Sequence, residues 1–361
     1  MSIPRSPADI TAAWLGSVLG VEVTDVDVTA IGTGQTGATY RVAATYGSGA
    51  SPRLPATFAV KLPAQDDAVR ERVALGYRSE VEFYSTVTDE VMIPVPGCFH
   101  SEISSEGGDF VLVLADMAPA EQGDQIAGCT PAEAALAVDA LAGLHGPSWC
   151  RPQWCELPSI IMPKPGDEAA ATGMGEVALM AANITLEKLG DKVADDDRDT
   201  LLTSMGLVAP WLLAVPERFS LLHGDYRLDN LLFDPDRTRV TVVDWQTVGV
   251  GLPARDLAYF TATSLLPEIR PTVERDLVHR YHAALLGHGV TDYDAETCWH
   301  DYRLGMLQAP FLTALGYAFA ASTERGDEMI LTMLHRGCRA IRDLDAIDLV
   351  RSYQASSPAT A

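Results

Sequence analysis

The chain has 361 residues, more than one compact core organises by itself, so about two folding units are expected. An apolar share of 47% with 21% charged residues excludes disorder or coiled coil for most of its length. With 26 basic against 49 acidic residues the formal charge is −23, which repels a phosphate backbone and argues against a nucleic-acid partner.

At the start, Ser6-Pro7-Ala8-Asp9 has the order of an N-cap, a proline at the first helical position and an acidic first turn. It opens a helix ending near Gly20 instead of a signal peptide. Residues 26–31 read as a strand, a glycine-rich loop Gly32-Thr33-Gly34-Gln35-Thr36-Gly37 follows, and residues 38–46 and 57–62 read as two more strands around a Gly/Ser/Pro turn. Helical spacing covers residues 67–87, Pro94 and Pro96 announce extended chain, and strands are expected near 97–103 and 110–114. Residues 1–115 therefore form a small lobe of antiparallel sheet plus one long helix. Residues 116–361 read as a mainly helical lobe, with Thr130-Pro131 opening a helix toward His145 and a hairpin near 230–244.

The uncharged stretch 304–322 is long enough to cross a membrane, but Gln308, Pro310, Thr313 and Ser322 favour a buried helix, so no membrane partner is expected. Six scattered cysteines show no CxxC pair and no zinc spacing, as in a cytoplasmic protein with reduced thiols. No heptad seam specifies an oligomeric state.

Gly32, Gly34 and Gly37 match GxGxxG, a weak signal taken alone. A dinucleotide fold needs a helix after the loop, and Ala38-Thr39-Tyr40-Arg41-Val42 is strand-like; a Walker A loop needs Lys-Ser/Thr, and Ala38-Thr39 stands there. A kinase-type loop needs a strand on each side and a lysine on the third strand, which Lys61 in Thr57-Phe58-Ala59-Val60-Lys61 supplies. A carboxylate from the next helix should hold that lysine, and Glu80 is favoured over Glu82 because Val73, Tyr77, Phe83 and Tyr84 mark a partly buried face.

The most specific signal is Leu221-Leu222-His223-Gly224-Asp225-Tyr226-Arg227-Leu228-Asp229-Asn230, followed by Val242-Val243-Asp244-Trp245. Asp225 suits a base that takes a proton from an attacking hydroxyl, while Asn230 and Asp244 suit Mg²⁺. The turn Asp234-Pro235-Asp236-Arg237-Thr238, paired symmetrically about Arg237, is expected to set Asn230 opposite Asp244, with Cβ atoms roughly 4.5 to 5.5 Å apart. His223, His145 and Asp256 read as bracing residues.

These pieces resemble the aminoglycoside phosphotransferase superfamily, which includes the choline and ethanolamine kinases and the ecdysteroid-kinase-like proteins. The resemblance covers GTGQTG, Lys61, Ser79-Glu80-Val81-Glu82-Phe83-Tyr84, the 223–230 block, Asp244-Trp245 and residues 251–256. It implies an α+β, bilobal, protein-kinase-like fold and Mg²⁺-dependent transfer from ATP or GTP to a small-molecule hydroxyl acceptor, such as an aminoglycoside, an amino alcohol or another metabolite. It also implies that the nucleotide base meets the backbone near Leu114, Asp116 and Met117, where Ala115 replaces a glutamate common in relatives. Gly224 stands where protein kinases carry an arginine that reads a phosphorylated segment, so no such switch is expected. Tyr281, His282, Asp294, Glu296, Trp299, Asp301 and Tyr302 are expected near an acceptor pocket, cationic acceptors included. A pseudokinase that binds nucleotide without turnover and a metal-dependent hydrolase are the alternative functions.

Overall fold

The computed structural model describes residues 2–31, 37–48 and 54–356. Gly32 and Gly34 lie outside the described residues. Two compact units form, one from Met1–Glu90, Val95–Ala120 and Val243–Val248, the other from Val91–Pro94, Glu121–Val242 and Gly249–Ala361.

In the first unit the Asp9 carboxylate accepts from the Ser6 N–H and hydroxyl, but this box closes only the 3₁₀ turn Pro7–Asp9, because Ile10 leaves helical space at φ −79°, ψ 84°. The helix proper, α1 (Ala12–Leu19), begins later, capped by Thr11, whose hydroxyl accepts from Trp14 N–H at 3.2 Å. It ends at Gly20, whose φ of 67° suits a residue without Cβ. Strands β1 (Val23–Ile31), β2 (Gly37–Tyr46) and β3 (Thr57–Pro63) make an antiparallel meander. Helix α2 (Asp67–Glu82) follows, and then β4 (Cys98–Ile103) and β5 (Phe110–Ala115) complete a sheet of order β1-β2-β3-β5-β4. The helix expected over 67–87 widens into a π turn at Phe83–Val87.

Strand alternation sorts the two faces of this sheet. Phe58, Val60 and Leu62 of β3 join Val111 and Val113 of β5 and Trp14 and Leu15 of α1 in one buried cluster. Lys61 and Phe110 belong to the opposite alternation, where Tyr77 of α2 stacks on Phe110 with ring centres 4.3 Å apart.

The second unit opens with β6 (Glu121–Gln122) and α3 (Pro131–Ser148), whose Thr130–Glu133 capping box is complete. Next come α4 (Glu168–Leu189), α5 (Asp195–Met205), α6 (Val208–Leu212) and four short strands, β7 (Ser220–Leu222), β8 (Leu231–Phe233), β9 (Val240–Val242) and β10 (Gly249–Gly251). The remainder is helical: α7 (Ala254–Ser264), α8 (Arg270–Gly287), α9 (Ala295–Gly305), α10 (Gln308–Phe319), α11 (Glu324–Asp343) and α12 (Ala346–Ser356). Every residue of α7 is buried, so it is the core helix on which α3, α9, α10 and α11 pack. Arg336 of α11 fixes the adjoining loop by donating to the carbonyls of Gln125, Ile126 and Thr263.

The uncharged stretch at 304–322 is split between the end of α9 and the 12-residue α10, which buries eight residues and is too short to span a bilayer. Residues Glu168–Lys192 are long and apolar enough to do so by length and composition. Small residues of α4, Ala171, Ala178, Ala181 and Ala182, are buried as that helix packs on α10, and Lys188 donates to the carbonyls of Tyr317, Ala318 and Ala320.

The hairpin register corrects an expectation. Leu231 pairs with Val242 and Phe233 with Val240, a frame one residue out of step with the pairing of Asn230 and Asp244. The Asp234 carboxylate causes the shift: it accepts from the backbone N–H groups of Thr238 (2.7 Å) and Arg239 (2.8 Å), while Asp234 N–H donates to Arg239 O. Those bonds hold the carboxyl down at about 2 and close the connection between Phe233 and Val240 one residue shorter than symmetry about Arg237 requires, with Arg237 at φ 53°.

Within this unit α3 passes closely over residues 91–94. Met92 N–H donates to Gly143 O at 2.8 Å, and a Cβ at Gly143 would meet the Met92 carbonyl at 2.9 Å. Gly143→Ala is expected to lower unfolding stability by about 1–3 kcal/mol through that backbone clash, measured by urea denaturation. A change below about 0.5 kcal/mol would show that the segment yields freely.

Candidate active site

Lys61 is placed on the α2 side of the sheet by the alternation of β3, and its ammonium cannot stay there alone. Its Nζ lies 2.6 Å from Glu80 Oε2, 2.8 Å from Glu80 Oε1 and 2.9 Å from Asp244 Oδ1. Burial works to strip its proton, but the charges of Asp244 and Glu80 outweigh that and raise its pKa. The Glu80 carboxyl, almost wholly inaccessible, is pushed up by its own burial and pulled back by Lys61. Glu80, not Glu82, thus meets the lysine.

Asp244 has a φ of 68°, a turn that brings its carboxylate and the next two residues into this unit. Trp245 lies flat on Phe83, with ring centres 3.6 Å apart and planes 5° from parallel, and its carbonyl accepts from Ser79 Oγ at 3.1 Å. Gln246 Nε2 donates to Glu80 Oε2 at 3.3 Å. Gly37 pairs with Pro63 at the end of β2, and a Cβ there would sit 3.3 Å from Leu62 O and 3.6 Å from Lys61 Cε.

The residues expected to meet a nucleotide base fall at the end of β5. Leu114 pairs with Ala59 and is buried. Asp116 forms a two-bond pair with Arg41, at 2.7 and 3.1 Å, and accepts from Ala118 N–H; the Met117 carbonyl accepts from Ala120 N–H. The Asp116 carboxylate is therefore a local brace, and burial pushing its pKa up is outweighed by the Arg41 bond, which lowers it.

In the second unit the 223–230 loop hangs from a buried carboxylate. Asp256, in the first turn of α7, accepts from the backbone N–H groups of His223 (2.7 Å) and Gly224 (3.2 Å) and lies 3.4 Å from His145 Nε2. His145 Nδ1 in turn meets the Tyr281 hydroxyl at 2.6 Å. Gly224 takes φ 84°, and Asp225 N–H donates to His223 Nδ1 at 3.3 Å, which makes that nitrogen an acceptor.

The Asp225 carboxylate is itself surrounded by donors. The Tyr259 hydroxyl donates to Oδ1 at 2.8 Å, Arg227 Nε to both oxygens at 3.0 and 3.1 Å, and Asn230 Nδ2 to Oδ2 at 3.1 Å and to the Asp225 carbonyl at 2.8 Å. Arg227 also reaches Asp229 at 2.6 Å. Burial and the Asp225 charge raise the Tyr259 phenol well above its ordinary range, so it stays a donor.

Among the described residues no three His, Cys, Asp or Glu side chains form a ready-made metal cage. Magnesium commonly takes only one or two protein oxygens and completes its shell with phosphates and water. Asn230 commits its amide nitrogen to Asp225, so its oxygen is the atom left to accept a cation, and the Asp244 carboxylate of the other unit is likewise an oxygen donor of the right hardness.

Most of the acceptor residues expected after Asp256 are engaged with other side chains or cap a helix. Tyr281 bonds His145, Tyr302 donates to Glu274, Asp301 pairs with Arg218, Asp294 caps α9 and Trp299 lies under Arg275. Most hold helices together, which is what aromatic and acidic residues at helix interfaces ordinarily do. Arg227, Tyr259 and Gln246 were missed in the sequence. The first lay inside the motif and passed as filler, and the others are joined to it only by folding.

The phosphotransferase enzyme family model matches residues 27–295. Acyl-CoA dehydrogenase family member 11 of Pongo abelii is 34% identical over 79 residues, 20% of this chain and 10% of that protein. The chain thus matches about a tenth of the length of that relative. Among solved structures, an ethanolamine kinase of Plasmodium vivax superposes with a TM-score of 0.53 at 12% identity, covering 89% of this chain and 85% of that one. The GDP complex of aminoglycoside 2'-phosphotransferase-IIIa gives 0.51 at 14% identity, covering 91% and 98%. At these identities the likeness is one of fold, an α+β kinase-like arrangement with an antiparallel five-stranded sheet followed by a mainly helical region.

Removing the lysine ammonium strands two carboxylates. Lys61→Met is expected to cost about 3–5 kcal/mol, and less in a Glu80→Gln background. Because its folded pKa is raised, this contribution is fully present below the unfolded value of 10.5 and is lost as pH rises through the higher folded value. Denaturation of the four proteins from pH 6 to 9 should give a constant gap; additive costs would mean that the pair is not coupled.

Proposed function

We propose that the chain, which belongs to the phosphotransferase enzyme family, moves the γ-phosphoryl group of ATP or GTP to a hydroxyl of a small molecule. The single observation that carries this reading is the Asp225 carboxylate, held by Tyr259, Arg227 and Asn230 on a loop whose backbone is pinned by Asp256. A carboxylate fixed in this way is suited to orient an alcohol and take its proton as the new O–P bond forms. Lys61, kept charged by Glu80, is suited to hold phosphate oxygens once Asp244 turns to the metal. Bound Mg²⁺ would neutralise phosphate charge, with Asn230 and Asp244 as its protein oxygens.

The nature of the acceptor is open to a direct panel. Ethanolamine and aminoglycosides enter it because solved proteins of this fold carry those names, and a hydroxyacyl-CoA enters it because acyl-CoA dehydrogenase family member 11 shares sequence with this chain. Nucleotide consumption should need both Mg²⁺ and the right alcohol. Full-rate phosphate release without any acceptor would make the protein a hydrolase, and nucleotide binding without turnover would make it a pseudokinase.

Asp225→Ala and Asp244→Ala should each lower kcat by on the order of 10²–10⁴ with the fold retained by circular dichroism. A kcat within tenfold of wild type in either protein would refute its assignment. Tyr259→Phe removes one of the bonds that aim the base, so kcat should fall on the order of tenfold with little change in KM.

A further inference from the structure

Buried arginines in the second unit are met in three ways. Arg270 bonds Glu274 and pairs with Asp343 at 2.6 Å, and Arg336 is met by three backbone carbonyls. Arg255, on the first turn of α7 and only 6% exposed, is treated differently. Its Nε and Nη2 both donate to one neutral atom, Gln308 Oε1, at 2.9 and 2.8 Å, and its flat face lies 4.4 Å from the Trp211 ring centre. Among the described residues no carboxylate lies within ion-pair distance of it, and Nη1 makes no hydrogen bond. A guanidinium has five N–H donors, so most of its capacity is unmet.

The guanidinium also lines a recess. Pro163, Pro165, Trp211, Leu212 and Leu252 form its apolar wall and Arg255 is its one charged group, around a cavity of about 20 Å³. That is room for roughly one or two water-sized groups, and hence for a small head group and not a whole metabolite. Nη1 lies towards β10, 2.9 Å from where a Cβ on Gly251 would stand. Glycine there admits the guanidinium itself, which a Cβ would displace.

We infer that this recess is a binding site for a small organic carboxylate, whose two oxygens pair with the open edge of Arg255 while its apolar part rests on Trp211 and the prolines. The bidentate match of guanidinium and carboxylate supplies the recognition, and the water-poor wall strengthens it. The apolar lining selects against strongly hydrated anions such as sulfate. Burial pushes the Arg255 pKa down to about 10, only partly offset by the charge of Asp256, so the group is still charged at neutral pH. Arg255 makes no hydrogen bond to Asp225, Asn230, Lys61 or Asp244, although it precedes the loop-pinning Asp256 in sequence, so carboxylate binding is read by calorimetry and unfolding and not by phosphoryl transfer.

The test is thermal unfolding and calorimetric titration of the full chain with sodium propionate, against sodium chloride and sodium sulfate at equal ionic strength. Propionate should bind saturably and raise Tm by roughly 2–4 °C, with neither salt doing so. Arg255→Gln should abolish the response. Leu212→Glu, which brings a carboxylate into the wall from a half-buried position, should abolish it too and keeps the test available if the first variant fails to fold. A wild-type response to propionate no greater than to chloride, or an equal response in either variant, would overturn the inference.

Discussion

A lysine ammonium lodged behind a sheet must be met by carboxylates or lose its proton, and much of the first unit follows from that constraint. Lys61 faces away from the core cluster because Phe58, Val60 and Leu62 take the other alternation of β3. Glu80 must then sit on the inward side of α2, and Gln246 holds its second oxygen. The other carboxylate, Asp244, comes from 183 residues away, which is why a six-residue piece of later chain belongs to this unit. A charge pair has imposed a discontinuity on the folding unit.

The second unit solves a different problem with the same group. Asp256 carries its charge at a fully buried position and is met largely by the backbone N–H groups of His223 and Gly224, backed by His145 and Tyr281. A carboxylate satisfied by main chain fixes a loop more firmly than one satisfied by flexible side chains, because no rotamers have to be ordered. Asp225, by contrast, is held by side chains and stays partly exposed. One carboxylate organises and the other is organised.

Those roles explain which parts were legible beforehand. Strands β2, β3 and β5 were readable because their apolar alternation is a property of local sequence, and the Lys61–Glu80 pair because a lysine in an apolar strand needs a carboxylate from the helix that follows. The hairpin frame was not, since it turned on the Asp234 side chain capturing the N–H groups of Thr238 and Arg239, the second of them beyond the expected turn. The first helix was misplaced for a similar reason: the Ser6 box is locally complete, yet Ile10 bends the chain before a second turn can form. Tyr259 illustrates the larger gap. Its ring is buried like any core tyrosine, and only the tertiary fold shows that its hydroxyl touches Asp225.

The stacking of Trp245 on Phe83 has an optical consequence. An indole held flat against a second ring, with its position fixed by Ser79, is a rigid and asymmetric chromophore, and it follows directly in sequence the carboxylate that pairs with Lys61. Movement of Asp244 therefore tilts the ring next to it. The near-ultraviolet dichroism that a Trp245→Phe variant removes from the signal of the six tryptophans is therefore an optical readout of events at Lys61 that needs no label.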